Sequence, residues 1–180
     1  RELQRMGLHP LWATALIYVV SMALLLAARP RAWQALAREP GLWLLMAASG
    51  LTNVGFNWGV TTGDVVRVVL LFYLMPAWTV LLAWLMLGER PTAPALLRLV
   101  LALAGVTTVL KGPQDDWPLP ASLPDWLAIM AGFSFSLTNI LLRKLHDVPP
   151  PARVLAMFGG GGVLAGATAA LGVAVGAVPV

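Results

Sequence analysis

Long apolar runs alternate along this chain with short segments that carry most of its charged residues. Each run approaches or exceeds the roughly 20 residues that an α-helix needs to cross about 30 Å of hydrocarbon. The six runs are residues 11–28, 41–61, 65–87, 93–110, 124–142 and 152–178. They lack the alternation of polar and apolar positions that is typical of membrane β-barrel strands. The pattern predicts an all-α fold class, a polytopic transmembrane helical bundle.

Composition indicates that lipid is the main surrounding of the chain. Hydrophobic residues make up 59% of it and charged residues 11%, which leaves too little polar surface to coat a soluble domain of this length. The chain has no cysteine, which excludes disulfides and thiolate metal sites, and His9 and His146 lie far apart at helix ends. We therefore predict the lipid bilayer as a partner, with no metal site, no cofactor and no catalytic residue.

Lysine and arginine divide unequally between the two sides of the runs. Eight of the twelve fall on one side, which the positive-inside tendency predicts to be cytoplasmic: Arg29, Arg31, Arg38, Arg90, Arg98, Arg143, Lys144 and Arg153. The other side holds Arg1, Arg5, Arg67 and Lys111, with Asp64, Asp115, Asp116 and Asp125. Because topology accounts for the net charge of +4, we predict no nucleic-acid partner.

Residues 112–124 are the segment with loop composition, because they hold four prolines and two acids. They separate four helices in residues 1–111 from two helices in residues 125–180, and a repeat boundary fits there. We expect the chain to be an internal piece of a longer protein. The glycines at 159–162 favour close helix packing or a local helix break over a phosphate loop, since no Lys-Ser/Thr pair follows them.

Polar residues inside the runs are the candidates for function, because polar groups avoid lipid and turn toward neighbouring helices or a wet cavity. In the second run a polar residue recurs every fourth position and forms one helical face: Ser49, Asn53, Asn57 and Thr61. Trp58 lies beside this stripe, and the fifth run adds Asn139, with Phe133 and Phe135 nearby. The stripe predicts either interhelical hydrogen bonds or a substrate cavity lined by amides.

The third run holds a proline and a charged pair. Pro76 removes a backbone hydrogen bond in mid-run, which predicts a kink and a hinge flanked by Tyr73 and Trp78. Asp64 and Arg67 stand at the outer start of the run. They either form a charged gate for a substrate group, or Asp64 caps the helix while Arg67 pairs with it and extends toward the surface.

A longer motif covers the end of this run and part of the next, residues 71–92 and 101–106. It resembles EamA-domain permeases of the drug/metabolite transporter superfamily, in which a proline-containing helix ends in Gly-Glu-Arg at the cytoplasm and a glycine follows late in the next helix. The matching residues are Pro76, Gly88, Glu89, Arg90 and Gly105. The chain departs from the family at Arg98, where a glycine is usual.

The resemblance implies ten helices in two inverted five-helix repeats, of which this chain would hold the second to the seventh. It also implies a multi-pass secondary transporter of the bacterial inner membrane that moves a small metabolite, such as an amino acid or a related compound, by alternating access. We predict that the substrate cavity is lined by Asn53, Asn57, Trp58, Tyr73, Trp78 and Asn139, with Pro76 as the hinge.

Two other functions stay open from the sequence alone. A non-transporting assembly or sensor subunit would have a dry, apolar bundle centre instead of a polar pocket that reaches Asn53 and Asn57. An intramembrane enzyme would need a reactive pair, and the segment Gly132–Phe135 loosely resembles an intramembrane serine protease but has no histidine at mid-membrane depth to activate Ser134. Proton coupling would require a titrating residue outside this chain, or Asp64.

Overall fold

The computed structural model describes residues 10–111 and 120–174, and regular secondary structure within these ranges is α-helical. The all-α fold class is confirmed, and the two-repeat symmetry stays a prediction. Arg1, Arg5, Asp115, Asp116 and most of the proline-rich loop lie outside the described residues. The helices are α1 Pro10–Ala28, α2 Ala32–Arg38, α3 Pro40–Thr62, α4 Val65–Phe72, α5 Met75–Leu87, α6 Ala93–Leu110, α7 Leu123–Lys144 and α8 Pro150–Ala174.

Three of the described helical segments are long and apolar enough to cross a membrane: Val65–Leu87, Leu123–Lys144 and Pro150–Leu171. A fourth span is reached if the bent pair Leu16–Ala28 and Ala32–Arg38 counts as one. Helix α3 has 23 residues and is not among them, because the polar residues of its stripe, including Asn53 and Asn57, lower its hydropathy. The helix with the strongest candidate chemistry is therefore among the less lipophilic ones.

Helix α2 does not correspond to any of the six apolar runs. The chain bends by 106° after α1, and α2 turns its small apolar face, Ala32 and Leu36, into a buried cluster with residues of α3 and α8. Trp33 on the opposite face is 56% exposed. The short helix therefore lies at the end of the bundle that holds Arg29, Arg31 and Arg38, which we name the arginine-rich end.

Helix α3 occupies the centre and packs against both α7 and α8. Near its start, Leu42 and Leu45 are fully buried against Leu155 of α8. Further along, α3 and α8 meet backbone to backbone, since a Cβ at Gly160 would overlap the carbonyl oxygen of Met46 and one at Gly50 would lie 2.5 Å from the carbonyl oxygen of Gly160. The four glycines of α8 lie within one continuous helix, which confirms their expected role in close packing.

Helices α4 and α5 form one span that is interrupted at Tyr73 and Leu74. The span ends at Gly88, whose φ of 70° is a left-handed conformation that glycine adopts at low cost. The turn directs Glu89 to Arg143 near the end of α7, where the two side chains form an ion pair. The Gly-Glu-Arg motif thus links α5 to α7 at the arginine-rich end.

Candidate functional site

The two asparagines of the polar stripe belong to a chain of hydrogen bonds between α3 and α1. Asn57 Nδ2 donates to Asn53 Oδ1 at 2.8 Å, and Asn53 Nδ2 donates to the Tyr18 hydroxyl of α1 at 2.6 Å. Each amide therefore has at least one of its polar atoms held in a fixed orientation. The three side chains are partly buried, and such a network keeps them in place because an unpaired amide is costly in a low-dielectric surrounding.

The other two members of the stripe have different roles. The Ser49 hydroxyl donates across the helix interface to the carbonyl oxygen of Met157 in α8, at 3.1 Å. The Thr61 hydroxyl bonds to carbonyls of its own helix. The stripe thus forms interhelical hydrogen bonds through Ser49 and Asn53, and a substrate cavity lined by its amides stays a prediction.

An open pocket of about 210 Å³ exposes the two amides, and we name it the amide pocket. Its lining residues are Thr52, Asn53, Phe56, Asn57, Phe72 and Phe135. The rings of Phe56 and Phe72 lie 4.9 Å apart, and those of Phe72 and Phe135 lie 5.7 Å apart. Three phenylalanines from α3, α4 and α7 therefore form an aromatic wall opposite hydrogen-bonding amides, an arrangement that suits an amphipathic solute.

A second open pocket of about 340 Å³ lies among α5, α6 and α7, and we name it the Arg98 pocket. Its lining residues are Met75, Pro76, Thr79, Val80, Ala95, Arg98, Leu99 and Phe135. Phe135 is common to both pockets. The amide pocket adjoins the end of α4, and the Arg98 pocket adjoins the start of α5, so the interruption of the span lies between them.

The interruption is held by α7. Pro76 has no N–H to donate to the carbonyl of Phe72, and Gly132 of α7 lies so close to that oxygen that an added Cβ would be 2.8 Å from it. The Ser136 hydroxyl donates to the carbonyl oxygen of Met75 at 2.7 Å. A glycine and a serine on α7 thus fit the backbone of the broken span. Whether Pro76 acts as a hinge stays a prediction.

The remaining predicted residues do not line the amide pocket. Trp58 is partly buried on α3, and Tyr73 is half exposed at the interruption. The Trp78 ring packs edge-to-face on Phe133, with ring centres 5.5 Å apart, and its buried Nε1 has no hydrogen-bond partner within the described residues. Asn139 is exposed and donates to the carbonyl of Phe135 in its own helix, at 2.8 Å. Of the six predicted residues, Asn53 and Asn57 line the amide pocket, and the other four do not.

The charged residues at the start of α4 have separate roles. The Asp64 carboxylate accepts the backbone N–H of Arg67 at 2.8 Å and caps the helix. The Arg67 guanidinium donates to Asp125 of α7 at 2.9 Å, where the carboxylate is 3% exposed. Asp125 also accepts from the backbone N–H groups of Ala121 and Ser122. The Arg67–Asp125 ion pair therefore joins α4 to α7.

Sequence reasoning missed Tyr18 as a partner of the stripe, and Phe56 and Phe72 as pocket walls. It also placed Asp125 among the outer acids without a partner. A signal was present for Asp125, because Ser122-Leu-Pro-Asp125 matches the capping pattern that the structure shows as a capping box. A tyrosine in the middle of the first apolar run was a weaker signal that a polar neighbour faces it.

Comparison with known proteins gives one curated relative and one family. The chain is 29% identical over 139 residues to a protein of Pseudomonas aeruginosa described as an uncharacterized transporter, a match that covers 75% of this chain and 44% of the relative. The chain therefore spans less than half the length of that protein. No solved structure matches this chain significantly. The family model of the EamA-like transporters matches residues 1–111, and the chain accordingly belongs to the EamA-like transporter family.

Proposed function

We propose that this chain belongs to a secondary transporter that moves a small metabolite, such as an amino acid or a related compound, across the bacterial inner membrane by alternating access. The observation that carries the proposal is the amide pocket between α3, α4 and α7. A non-transporting subunit would have a dry, apolar centre, whereas here an open pocket reaches Asn53 and Asn57. The family membership supports transport as the activity.

Alternating access requires that contacts at the two ends of the bundle open in turn, and the broken span has such contacts with α7. At the end predicted to be outside, Arg67 pairs with Asp125. At the end predicted to be cytoplasmic, Glu89 pairs with Arg143. We propose that these ion pairs act as the outer and the inner gate, and that the span bends at its interruption when one pair opens.

The lining of the amide pocket favours exchange or facilitated diffusion over proton coupling through the pocket. It consists of one threonine, two asparagines and three phenylalanines, none of which changes its protonation near neutral pH. A proton carrier inside a membrane is normally an Asp, Glu or His side chain. In this proposal the solute itself drives the conformational exchange, and proton coupling would need a group elsewhere in the full protein.

A transport assay in vesicles with the full-length protein tests the proposal. We expect Asn57→Leu to lower the flux of transported amino acids and related metabolites about tenfold, because a solute loses its hydrogen bond to the pocket amide and Asn53 loses the donor that orients it. A panel of solutes is needed, and initial rates are compared at equal protein incorporation. Unchanged flux for every transported solute would remove the amide pocket from the transport route.

The matched control is Thr108→Leu. Thr108 is exposed on α6, outside the lining of both pockets, and its hydroxyl bonds to its own helix. This variant replaces a polar residue with leucine at a membrane helix without touching the amide chain. We expect it to transport at the wild-type rate, and melting temperatures of both variants show whether a lost flux reflects misfolding.

A further inference from the structure

Arg98 is the one charged residue in the lining of the Arg98 pocket. The lining is otherwise apolar apart from Thr79, whose hydroxyl bonds to the carbonyl oxygen of Met75. Within residues 10–111 and 120–174, the Arg98 guanidinium has no hydrogen-bond or ion-pair partner. Its five N–H donors are thus available to a ligand.

The position of the pocket connects this guanidinium to the transport route. Met75 and Pro76 belong to the start of α5, immediately after the interruption, and Phe135 lines both this pocket and the amide pocket. A solute leaving the amide pocket toward the arginine-rich end would meet Phe135 first and Arg98 next. Apolar walls lower the local dielectric and strengthen the attraction between a guanidinium and an anion.

We propose that Arg98 binds the carboxylate of the transported solute and thereby selects anionic or zwitterionic solutes with an apolar or aromatic body. This inference rests on the proposed function and deepens it. The amide pocket holds the neutral hydrogen-bonding groups of the solute, and the Arg98 pocket receives its carboxylate on the side predicted to be cytoplasmic. The aromatic ring of Phe135 is available to the apolar body in both positions.

A lipid phosphate is the competing ligand for the same guanidinium. Arg98 lies five residues after the start of α6, about 7.5 Å along the helix axis at 1.5 Å per residue. Its side chain leans toward the helix N-terminus, where the arginine-rich end would meet lipid headgroups. If Arg98 serves as a lipid site, anionic lipid binds its guanidinium and a soluble carboxylate does not.

Binding of benzoate and of benzamide to the full-length protein in nanodiscs tests the proposal, since the two probes share a ring and differ in the carboxylate. In zwitterionic phosphatidylcholine we expect benzoate to bind more tightly than benzamide. Arg98→Gln should weaken benzoate at least about tenfold, because a charge-assisted hydrogen bond is lost, and leave benzamide within twofold. The benzoate affinity of Arg98→Lys should lie between those of the wild type and Arg98→Gln, since lysine keeps the charge but not the bidentate geometry.

The control variant is Arg90→Gln, which removes an arginine from the same end of the chain but outside the pocket lining. It should bind both probes as the wild type does. The proposal is wrong if wild-type protein shows no preference for benzoate, if Arg98→Gln weakens both probes equally, or if anionic phosphatidylglycerol nanodiscs abolish benzoate binding. Flux through the Asn57→Leu variant tests the transporter independently, so failure of the carboxylate site and failure of the proposed function give different results.

Discussion

Two helix contacts at the centre of this bundle are built in opposite ways. Where α3 crosses α8, both helices are continuous, and their backbones touch directly. Gly160 of α8 lies against the carbonyl oxygen of Met46 in α3, and Gly50 of α3 lies against the carbonyl oxygen of Gly160. Where the span α4–α5 meets α7, the span is interrupted. Side chains join the helices at this second contact, with the Ser136 hydroxyl in the middle and ion pairs at both ends, and they accompany one close backbone approach, that of Gly132 to the Phe72 carbonyl oxygen.

From this difference we expect one small bundle to combine a fixed part, the α3–α8 crossing, with an adjustable part, the span α4–α5. Backbone-to-backbone contact leaves no flexible atoms between the helices, so it either persists or is lost as a whole. Side-chain hydrogen bonds and ion pairs can open singly and form again. The rigid crossing carries the amides of the pocket, whereas the adjustable span carries Phe72 and Pro76. The predictions that follow test this division, beginning with the largest expected effect.

Gly160→Leu should destabilise the protein by about 3 kcal/mol, at the upper end of the usual cost of overpacking, because its Cβ would overlap the Met46 carbonyl oxygen and the backbone has no room to move. Thermal or denaturant unfolding of the full-length protein in detergent measures the effect. We expect the flux of all solutes to fall with the folded fraction. The α3–α8 crossing would not be rigid if the variant kept the wild-type melting temperature.

Gly105→Leu on α6 is the control for that prediction. A Cβ at Gly105 would have no heavy atom within 4 Å among the described residues, so the same substitution introduces no clash there. Replacing glycine with leucine in a helix also improves helix propensity by a fraction of a kcal/mol. The control should therefore melt at or slightly above the wild-type temperature, and a large loss at this position would show that another part of the protein packs on α6.

The ion pairs of the adjustable contact should differ in strength. Asp125→Asn leaves the Arg67 guanidinium beside an uncharged amide, and removing one member of a buried pair costs about 3–5 kcal/mol. Because the Arg67 side chain is 33% exposed, we expect a smaller loss of about 2 kcal/mol in unfolding free energy. Glu89→Gln should cost about 0.5 kcal/mol or less, since Glu89 and Arg143 are each about half exposed.

Accessibility labelling gives a second measurement of the same pair of variants. If the two ion pairs are gates, each variant should change the rate of opening at its own end, and accessibility labelling of an engineered cysteine in the amide pocket would detect the change from that side. Equal labelling from both sides in both variants would contradict the assignment of the pairs as gates. Arg143→Gln is expected to match Glu89→Gln, because either change breaks the same pair.

The sequence predicted the long helices well because a lipid-spanning segment needs both length and continuous apolar composition. The third run, residues 65–87, coincides with the span Val65–Leu87, and Pro76 marked the region of its interruption. Helix α2 was missed because its seven residues lie in a charged linker with no apolar run. Its helical state depends on contacts of Ala32 and Leu36 with helices far along the chain, which local sequence does not encode.

The candidate site was predicted only where a periodic pattern existed within one helix. Asn53 and Asn57 are one turn apart, so the stripe revealed them. Tyr18 is 35 residues from Asn53, and Asp125 is 58 residues from Arg67. Such pairings depend on how the helices pack, and a local spacing in the sequence does not reveal them. The two pockets likewise join side chains from three helices each, and Phe135 became significant only when its place in the lining of both was known.

An effect between those of Asp125→Asn and Glu89→Gln is expected at the middle of the adjustable contact. Ser136→Ala removes the hydroxyl that joins α7 to the carbonyl oxygen of Met75, and an interhelical hydrogen bond in a membrane protein contributes about 0.6–2 kcal/mol. We expect a loss near 1 kcal/mol by unfolding in detergent, together with a faster exchange between conformations, because the interruption is then held less firmly. Ser21→Ala is the matched control, since the Ser21 hydroxyl bonds to the Ile17 carbonyl of its own helix and its removal takes away no interhelical hydrogen bond among the described residues. If the two alanine variants were equal in stability and in transport rate, the Ser136 hydrogen bond would be local in its effect, and the span would be positioned by the fit of Gly132 and by its terminal ion pairs alone.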